Sequence, residues 1–141
     1  MPNGNKQYKL LFLEDEPIIG RILKRTFGDE GFEMDIATSG LMAKEKIDSK
    51  KDYDLLILDI RTPVISGSQL YEYLQREHSE LTNKVIFATG DTLSENTREF
   101  LDRVKRPFLT KPYTPAQIKE LVIQTIEQNL ALANKLGSAA A

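Results

Sequence analysis

Cysteine is absent from this chain of 141 residues, which excludes a disulfide framework and a thiolate metal site. Surplus positive charge is absent as well, because 19 basic residues are balanced by 21 acidic ones. Such a chain has no electrostatic reason to bind nucleic acid. No apolar run approaches the roughly 20 residues that cross a bilayer, and the polar first residues lack the apolar core of a signal peptide. We therefore expect a cytoplasmic protein with neither nucleic-acid nor membrane partners.

Glycine-rich phosphate loops are also missing. The chain contains neither Gly-x-Gly-x-x-Gly nor Gly-Lys-Ser/Thr, and its first apolar run ends in acidic residues that would repel a bare phosphate. Nucleotide binding is thus not expected.

What remains has the composition of one ordinary globular domain. Hydrophobic residues make up 40% of the chain and charged residues 28%, and the length suits a single core. We predict a domain over residues 8–128 and an extension of its last helix over residues 129–136. The final Gly-Ser-Ala-Ala-Ala, residues 137–141, resembles an expression-vector remnant.

Short apolar runs alternate along the chain with segments that have helix-capping residues at their starts. The runs predict five strands, over residues 8–13, 32–37, 55–59, 85–88 and 107–110. Helices are predicted to follow them, beginning near Pro17, Ser39, Ser66, Ser94 and Thr114, with capping-box spacing at Ser66 and Thr114. This alternation indicates an α/β fold with a doubly wound parallel sheet.

Helical spacing also assigns apolar side chains to the predicted helices. In the first helix these are Ile18, Ile19, Ile22, Leu23 and Phe27, and in the weakly amphipathic second helix they are Leu41, Met42 and Ile47. The only histidine, His78, is expected to lie exposed at the end of the third helix, with no catalytic or phosphocarrier role.

Acidic and polar residues recur where the predicted strands end. They are Glu14, Asp15, Asp59, Thr89 and Lys111. Parallel strands place these ends at one edge of the sheet, which is where open α/β sheets bind ligands. Three carboxylates that meet there repel one another unless a cation neutralises them, and Mg²⁺ suits oxygen ligands. Asp15 and Asp59 are the expected direct ligands, with Glu14 acting directly or through water.

This set of residues suits phosphoryl transfer, in which charge on the phosphoryl oxygens must be neutralised and the nucleophile aligned. Asp59 is the expected nucleophile, because an aspartate can form a covalent acyl phosphate. Lys111 is expected to pair with one phosphoryl oxygen, and the Thr89 hydroxyl to hydrogen-bond another.

The motifs resemble those of the receiver domains of bacterial two-component response regulators. The matching residues are the acidic run Glu14-Asp15-Glu16-Pro17, the strand-end Asp59, the hydroxyl residue Thr89, and Lys111-Pro112. The resemblance implies a flavodoxin-like three-layer sandwich with strand order 2-1-3-4-5 and a cis peptide bond before Pro112. It also implies that Asp59 accepts a phosphoryl group and that the backbone carbonyl of Arg61 completes the Mg²⁺ site.

Two residues depart from the family pattern. Glu14 replaces the commoner aspartate, and its longer reach suggests a more indirect metal contact. Phe108 stands at the aromatic switch position, which is often tyrosine, and therefore has no hydroxyl. The resemblance nevertheless implies that Thr89 and Phe108 switch together on phosphorylation, and that a histidine kinase or a histidine phosphotransfer protein is the phosphodonor.

Other functions fit the sequence less well. Each site residue alone could be a helix cap, a turn residue or a surface charge. An aspartyl phosphohydrolase would share Mg²⁺ and the strand-end aspartate, but its usual Asp-x-Asp places a second carboxylate where this chain has Arg61. A degenerate receiver that only scaffolds partners would lack Asp59, Thr89 or Lys111. We therefore expect a signalling phosphoacceptor, not an enzyme, that assists its own phosphorylation and dephosphorylation.

Two further expectations concern regulation and assembly. Arg61 and Asp91 carry opposite charges and could pair across the pocket to shield the acyl phosphate from water. The last helix continues through Leu130, Leu132 and Leu136, which favours self-association or docking to an adjacent domain.

Overall fold

The computed structural model describes residues 6–50, 52–61, 65–90 and 94–140. Within these residues the strands are β1 (Lys9–Leu13), β2 (Glu33–Ala37), β3 (Leu55–Asp59), β4 (Val85–Thr89) and β5 (Phe108–Thr110). The α-helices are α1 (Pro17–Gly28), α2 (Gly40–Lys50), α3 (Gly67–Glu77), α4 (Glu95–Val104) and α5 (Pro115–Ala140), and a 3₁₀ helix spans Ser79–Lys84. Asp91, and with it the expected pair with Arg61, lies outside the described residues.

The strands form one parallel sheet in the order β2-β1-β3-β4-β5, which confirms the predicted fold class. Side chains alternate between the two faces along each strand. Leu11, Leu56 and Phe87 belong to the core under α2, α3 and α4. Leu10 and Ile57 belong to the core under α1 and α5. The result is the expected sandwich of three layers, with helices on both faces of the sheet.

Local sequence signals define the ends of several helices. At the start of α3 the Ser66 hydroxyl accepts from the Gln69 amide at 3.2 Å, and the Gln69 side chain accepts from the Ser66 amide at 2.9 Å. The same reciprocal pair, between Thr114 and Gln117, starts α5. Both predicted capping boxes are therefore present. No helix among the described residues is long and apolar enough to cross a membrane.

The outer faces of α1 and α2 carry some of the apolar residues that helical spacing assigns to these helices. Ile18 is 69% exposed and Ile22 is also exposed, because α1 turns Gly20, Leu23 and Phe27 toward the sheet. On α2 the exposed apolar residues are Leu41 and Met42, whereas Ala43 and Ile47 are buried. Helical spacing identified apolar residues in both helices but did not determine which of them contact the sheet.

The prediction that His78 is exposed is wrong, since its side chain is buried and only 7% of the residue is exposed. Its Nε2 lies 2.8 Å from Oδ1 of Asp48 on α2, and the Tyr73 hydroxyl donates to the same oxygen at 2.6 Å. Lys44 pairs with the other oxygen at 3.2 Å. The Tyr73 hydrogen bond is the main cause that lowers the pKa of Asp48 to about 2. A partner 30 positions away along the chain thus stabilises the imidazole inside the fold.

Two buried tyrosines provide a matched test of the core. The Tyr8 hydroxyl is buried without a hydrogen-bond partner among the described residues, whereas the Tyr53 hydroxyl donates to Asp35 at 2.5 Å. An unpartnered buried hydroxyl costs about 1–3 kcal/mol, so Tyr8→Phe should raise the free energy of unfolding by about 1 kcal/mol. Tyr53→Phe should lower it by about 1–3 kcal/mol. Urea unfolding followed by circular dichroism measures both, and equal losses in the two variants would contradict the assignment.

Candidate functional site

The carboxyl ends of the central strands bring three acidic residues together. Glu14 follows β1 and Asp59 ends β3, and these neighbouring strands are paired in parallel register. One carboxylate oxygen from each of Glu14, Asp15 and Asp59 lies within 4.8 Å of the others. Glu14 and Asp59 are buried, whereas Asp15 is exposed. The cluster therefore has two buried carboxylates and one that faces solvent.

Lys111 is the cation of this cluster. Its ammonium group lies 2.9 Å from Oε1 of Glu14 and 2.8 Å from Oδ2 of Asp59. The position of Lys111 follows from β5, because its backbone amide donates to the Thr89 carbonyl at 2.7 Å. The Lys111–Pro112 peptide bond that follows is cis, as the resemblance implies.

Backbone amides hold the remaining carboxylate oxygens. The Glu16 amide donates to Oε2 of Glu14 at 3.2 Å, and the Arg61 amide donates to Oδ1 of Asp59 at 3.1 Å. Both carboxylates therefore have one oxygen on Lys111 and one on the backbone. Because such bonds fix the side-chain rotamers, the site is arranged before any ligand binds.

Burial and charge act in opposite directions at these groups. Burial raises the pKa of Glu14, and the hydrogen bonds from Lys111 and the Glu16 amide only partly offset this. At Lys111 burial opposes the charge, but the hydrogen bonds to Asp59 and Glu14 outweigh it and raise the pKa. The ammonium group of Lys111 is thus held in its charged form, whereas burial makes the charged form of the Glu14 carboxylate less favourable.

The donor set fits a hard divalent cation. Three carboxylates face one ammonium group, which leaves two negative charges uncompensated by the described side chains of the cluster. Magnesium binds through one or two carboxylates and keeps several waters, and Asp15 and Asp59 as its direct ligands stay a prediction. The oxygens of Glu14 and of Asp59 all have donors, so the expected indirect role of Glu14 stays a prediction. The backbone of Arg61 lies beside Asp59, but ligation by its carbonyl stays a prediction.

The other predicted residues lie around the cluster. Thr89 is buried at the end of β4, next to the strand that holds Asp59. Phe108 lies at the start of β5 opposite Phe87 and is 45% exposed, so its ring faces outward. The roles of Thr89 and Phe108 as a switch stay predictions.

Tyr113 is a site residue that sequence reasoning missed. Burial is the main cause that raises its pKa to about 12, and the nearby charge of Glu14 adds to the effect. Tyr113 and Lys111 line a groove of about 440 Å³ between the cluster and α1, which also includes Glu16, Ile19 and Ile22. The available signal was its position, directly after Lys111-Pro112.

Comparison with known proteins identifies the family of this arrangement. Residues 10–123 match the model described as response regulator receiver domain. The chain belongs to this family. Within it, the solved structure of the response regulator TrrA from Thermotoga maritima, a complex with Mg²⁺-BeF, shares 30% identity and has a TM-score of 0.71. The matched region includes 84% of this chain and 99% of the TrrA chain.

Further comparisons place the receiver among two-component proteins. The response regulator RppA of Synechocystis is 30% identical over 78% of this chain, which spans 47% of RppA. The probable transcriptional regulator ycf29 of Porphyra purpurea is 29% identical over 82% of this chain, which spans 54% of ycf29. The receiver thus spans about half the length of these curated relatives. Its function is that of a response regulator receiver domain, and the phosphohydrolase alternative is not favoured.

A CheY-like receiver domain from Methanospirillum hungatei has the same fold. Its TM-score is 0.78 with 22% identity, over 87% of this chain and 96% of that one.

The raised pKa of Glu14 predicts a stability difference that depends on pH. Glu14 binds a proton more tightly in the folded receiver than in the unfolded chain. Its favourable contribution to the free energy of unfolding is therefore complete below the unfolded pKa and is lost as pH rises through the folded pKa. Without divalent cations, Glu14→Gln should therefore have a higher free energy of unfolding than the wild type near pH 8, and the difference should vanish near pH 4.

Chemical unfolding in the presence of a chelator measures this difference. Glu99→Gln, which changes an exposed carboxylate of α4, is the control and should not alter the pH dependence. A Glu14→Gln variant that is less stable than the wild type near pH 8 would show that the pair with Lys111 outweighs the burial of Glu14.

Proposed function

We propose that Asp59 accepts a phosphoryl group from the phosphohistidine of a histidine kinase or a histidine phosphotransfer protein. The observation that carries this proposal is the position of Asp59 at the end of β3, where Lys111 holds one carboxylate oxygen at 2.8 Å and the Arg61 amide holds the other at 3.1 Å. A carboxylate fixed on both oxygens presents a constant face to an incoming phosphorus atom, which favours in-line attack.

The reaction exchanges one bond to phosphorus for another. An oxygen of Asp59 forms a bond to phosphorus while the bond from phosphorus to the imidazole nitrogen of the donor breaks, and the imidazole leaves with the electron pair and takes up a proton. Bound Mg²⁺, held by Asp15 and Asp59 and supported by Glu14 and the Arg61 carbonyl, would neutralise charge on the phosphoryl oxygens. Lys111 then pairs with one of these oxygens, and the Thr89 hydroxyl hydrogen-bonds another.

Phosphorylation changes the partners of Lys111. In the unphosphorylated receiver its ammonium group bridges Glu14 and Asp59. The phosphoryl group adds negative charge beside it, so Lys111 and Thr89 are drawn toward the new oxygens and Phe108 turns from its exposed position toward the space beside Thr89. The proposed output surface is therefore formed by α4, β5 and α5. The receiver assists its own phosphorylation and dephosphorylation but acts on no other substrate.

Labelling with a small phosphodonor tests the proposal. With acetyl phosphate and Mg²⁺, the wild type should gain one covalent, hydroxylamine-labile phosphoryl group per chain, measured by mass spectrometry. Asp59→Asn should gain none, and Lys111→Met should react about 100-fold more slowly, the loss typical of removing a group that stabilises charge in the transition state. The control Asp29→Asn, at the end of α1, should react like the wild type. A hydroxylamine-labile label that persists in Asp59→Asn would overturn the assignment.

The partners of the whole protein form a second part of the proposal. The ycf29 relative is described as a probable transcriptional regulator, so the expectation of no nucleic-acid contact applies to the receiver residues alone and stays a prediction. Ile126 is buried, α5 continues beyond it, and Leu132 and Leu136 are exposed. These leucines support the proposal that the end of α5 takes part in self-association.

Sedimentation velocity tests this association with and without beryllofluoride as the phosphoryl mimic. The mean mass should rise with protein concentration, and Leu132→Ser with Leu136→Ser should abolish that rise while leaving labelling of Asp59 unchanged. A wild type that stays monomeric at all concentrations in both states would rule out self-association through α5.

A further inference from the structure

A close contact joins the start of α2 to the loop that follows the phosphorylation site. Gly40 is the first residue of α2, and Ile65 lies in the loop between β3 and α3. A methyl group added at Gly40 would overlap the carbonyl oxygen of Ile65 and lie 2.7 Å from its carbonyl carbon. The contact is between backbone and backbone, so no flexible side chain can move aside to accommodate a larger residue.

A second glycine closes the same loop. A methyl group at Gly67, the first residue of α3, would overlap the carbonyl oxygen of Asp59 and lie 2.8 Å from its carbonyl carbon. The Gly67 amide donates to the Ile60 carbonyl at 3.0 Å. The loop therefore returns to its own starting point at Gly67, and its Ile65 backbone rests on α2.

The placement of this loop affects the site because Arg61 belongs to it. The Arg61 amide holds Oδ1 of Asp59 at 3.1 Å, and this bond fixes the carboxylate rotamer. A shift of the loop backbone at Ile65 cannot be absorbed at the Gly67 contact, where the backbones already touch. Gly67 is hydrogen-bonded to Ile60, the residue directly before Arg61, so the shift is passed to the backbone beside Asp59.

We propose that Gly40 is a positioning residue of the phosphorylation site: it lets the Ile65 carbonyl rest on α2 and thereby sets the place of the Arg61 backbone beside Asp59. The inference rests on the proposed function of Asp59 and its Mg²⁺ site. A residue that only packs the fold would, when replaced, lower the thermal stability and leave the Mg²⁺ affinity of the folded receiver unchanged. A positioning residue changes that affinity.

Two glycine-to-alanine variants separate these roles. Gly40→Ala creates the overlap with Ile65, whereas Gly28→Ala, at the end of α1, meets nothing within 4 Å. Isothermal titration with Mg²⁺ alone, corrected for the folded fraction from circular dichroism, should give a dissociation constant about tenfold higher for Gly40→Ala, the scale of loss when a support of a metal ligand is removed. Gly28→Ala should bind within about twofold of the wild type. In NMR spectra of the Mg²⁺-free protein, the Arg61 amide resonance should move in Gly40→Ala only.

A third variant keeps the test decisive if Gly40→Ala does not fold. Ile65→Gly keeps the carbonyl that rests on α2 but gives the loop backbone more conformational freedom and creates no overlap, so it should also weaken Mg²⁺ binding. If the wild type binds Mg²⁺ and the folded variants at Gly40 or Ile65 bind it equally well, the positioning role is wrong and the proposed function stands. If the wild type itself neither binds Mg²⁺ nor becomes labelled at Asp59, the proposed function and the positioning role both fail.

Discussion

The contact on which the receiver depends is that of one ammonium group with two buried carboxylates. Lys111 lies between Glu14 and Asp59, which come from neighbouring strands and would repel each other without it. The compensation is incomplete, since burial still raises the pKa of Glu14. The structure thus holds an excess of negative charge at one edge of the sheet, at a cost in stability that a bound cation would reduce.

Parallel topology explains how the sequence assembles this arrangement. Every strand ends at the same edge, so residues from distant parts of the chain need only follow a strand to reach the site. The backbone does the rest, because the Arg61 and Glu16 amides orient the carboxylates and the Thr89 carbonyl holds the amide of Lys111. The strand ends therefore bring the side chains of the site together, and the amides of the loops that follow orient the carboxylates.

Sequence patterns of a few consecutive residues predict much of the fold and of the site. The capping boxes at Ser66 and Thr114 and the strand-end Asp59 are visible in a few consecutive residues, and the structure contains them as expected. The meeting of the strand-end residues at one edge was predictable as well, but contacts between two helices, or between a helix and a loop, were not. The exposure of Ile18 depends on which turn of α1 meets the sheet, and the burial of His78 depends on Asp48 from another helix. The backbone contact of Gly40 with Ile65 likewise has no signature in either segment alone.

Two hydrogen bonds to the Asp48 carboxylate connect α2 to α3 and its end. Mutations at the two ends of these bonds have unequal effects. Tyr73 and His78, from α3 and its end, donate to the same oxygen of a residue on α2. Loss of either donor leaves the other in place, so the two helices stay connected through any single change on the α3 side. Loss of Asp48 removes both connections and leaves a buried imidazole without its acceptor. The redundancy therefore lies entirely with the donors, and the fold tolerates the loss of Tyr73 or of His78 better than the loss of the one acceptor they share.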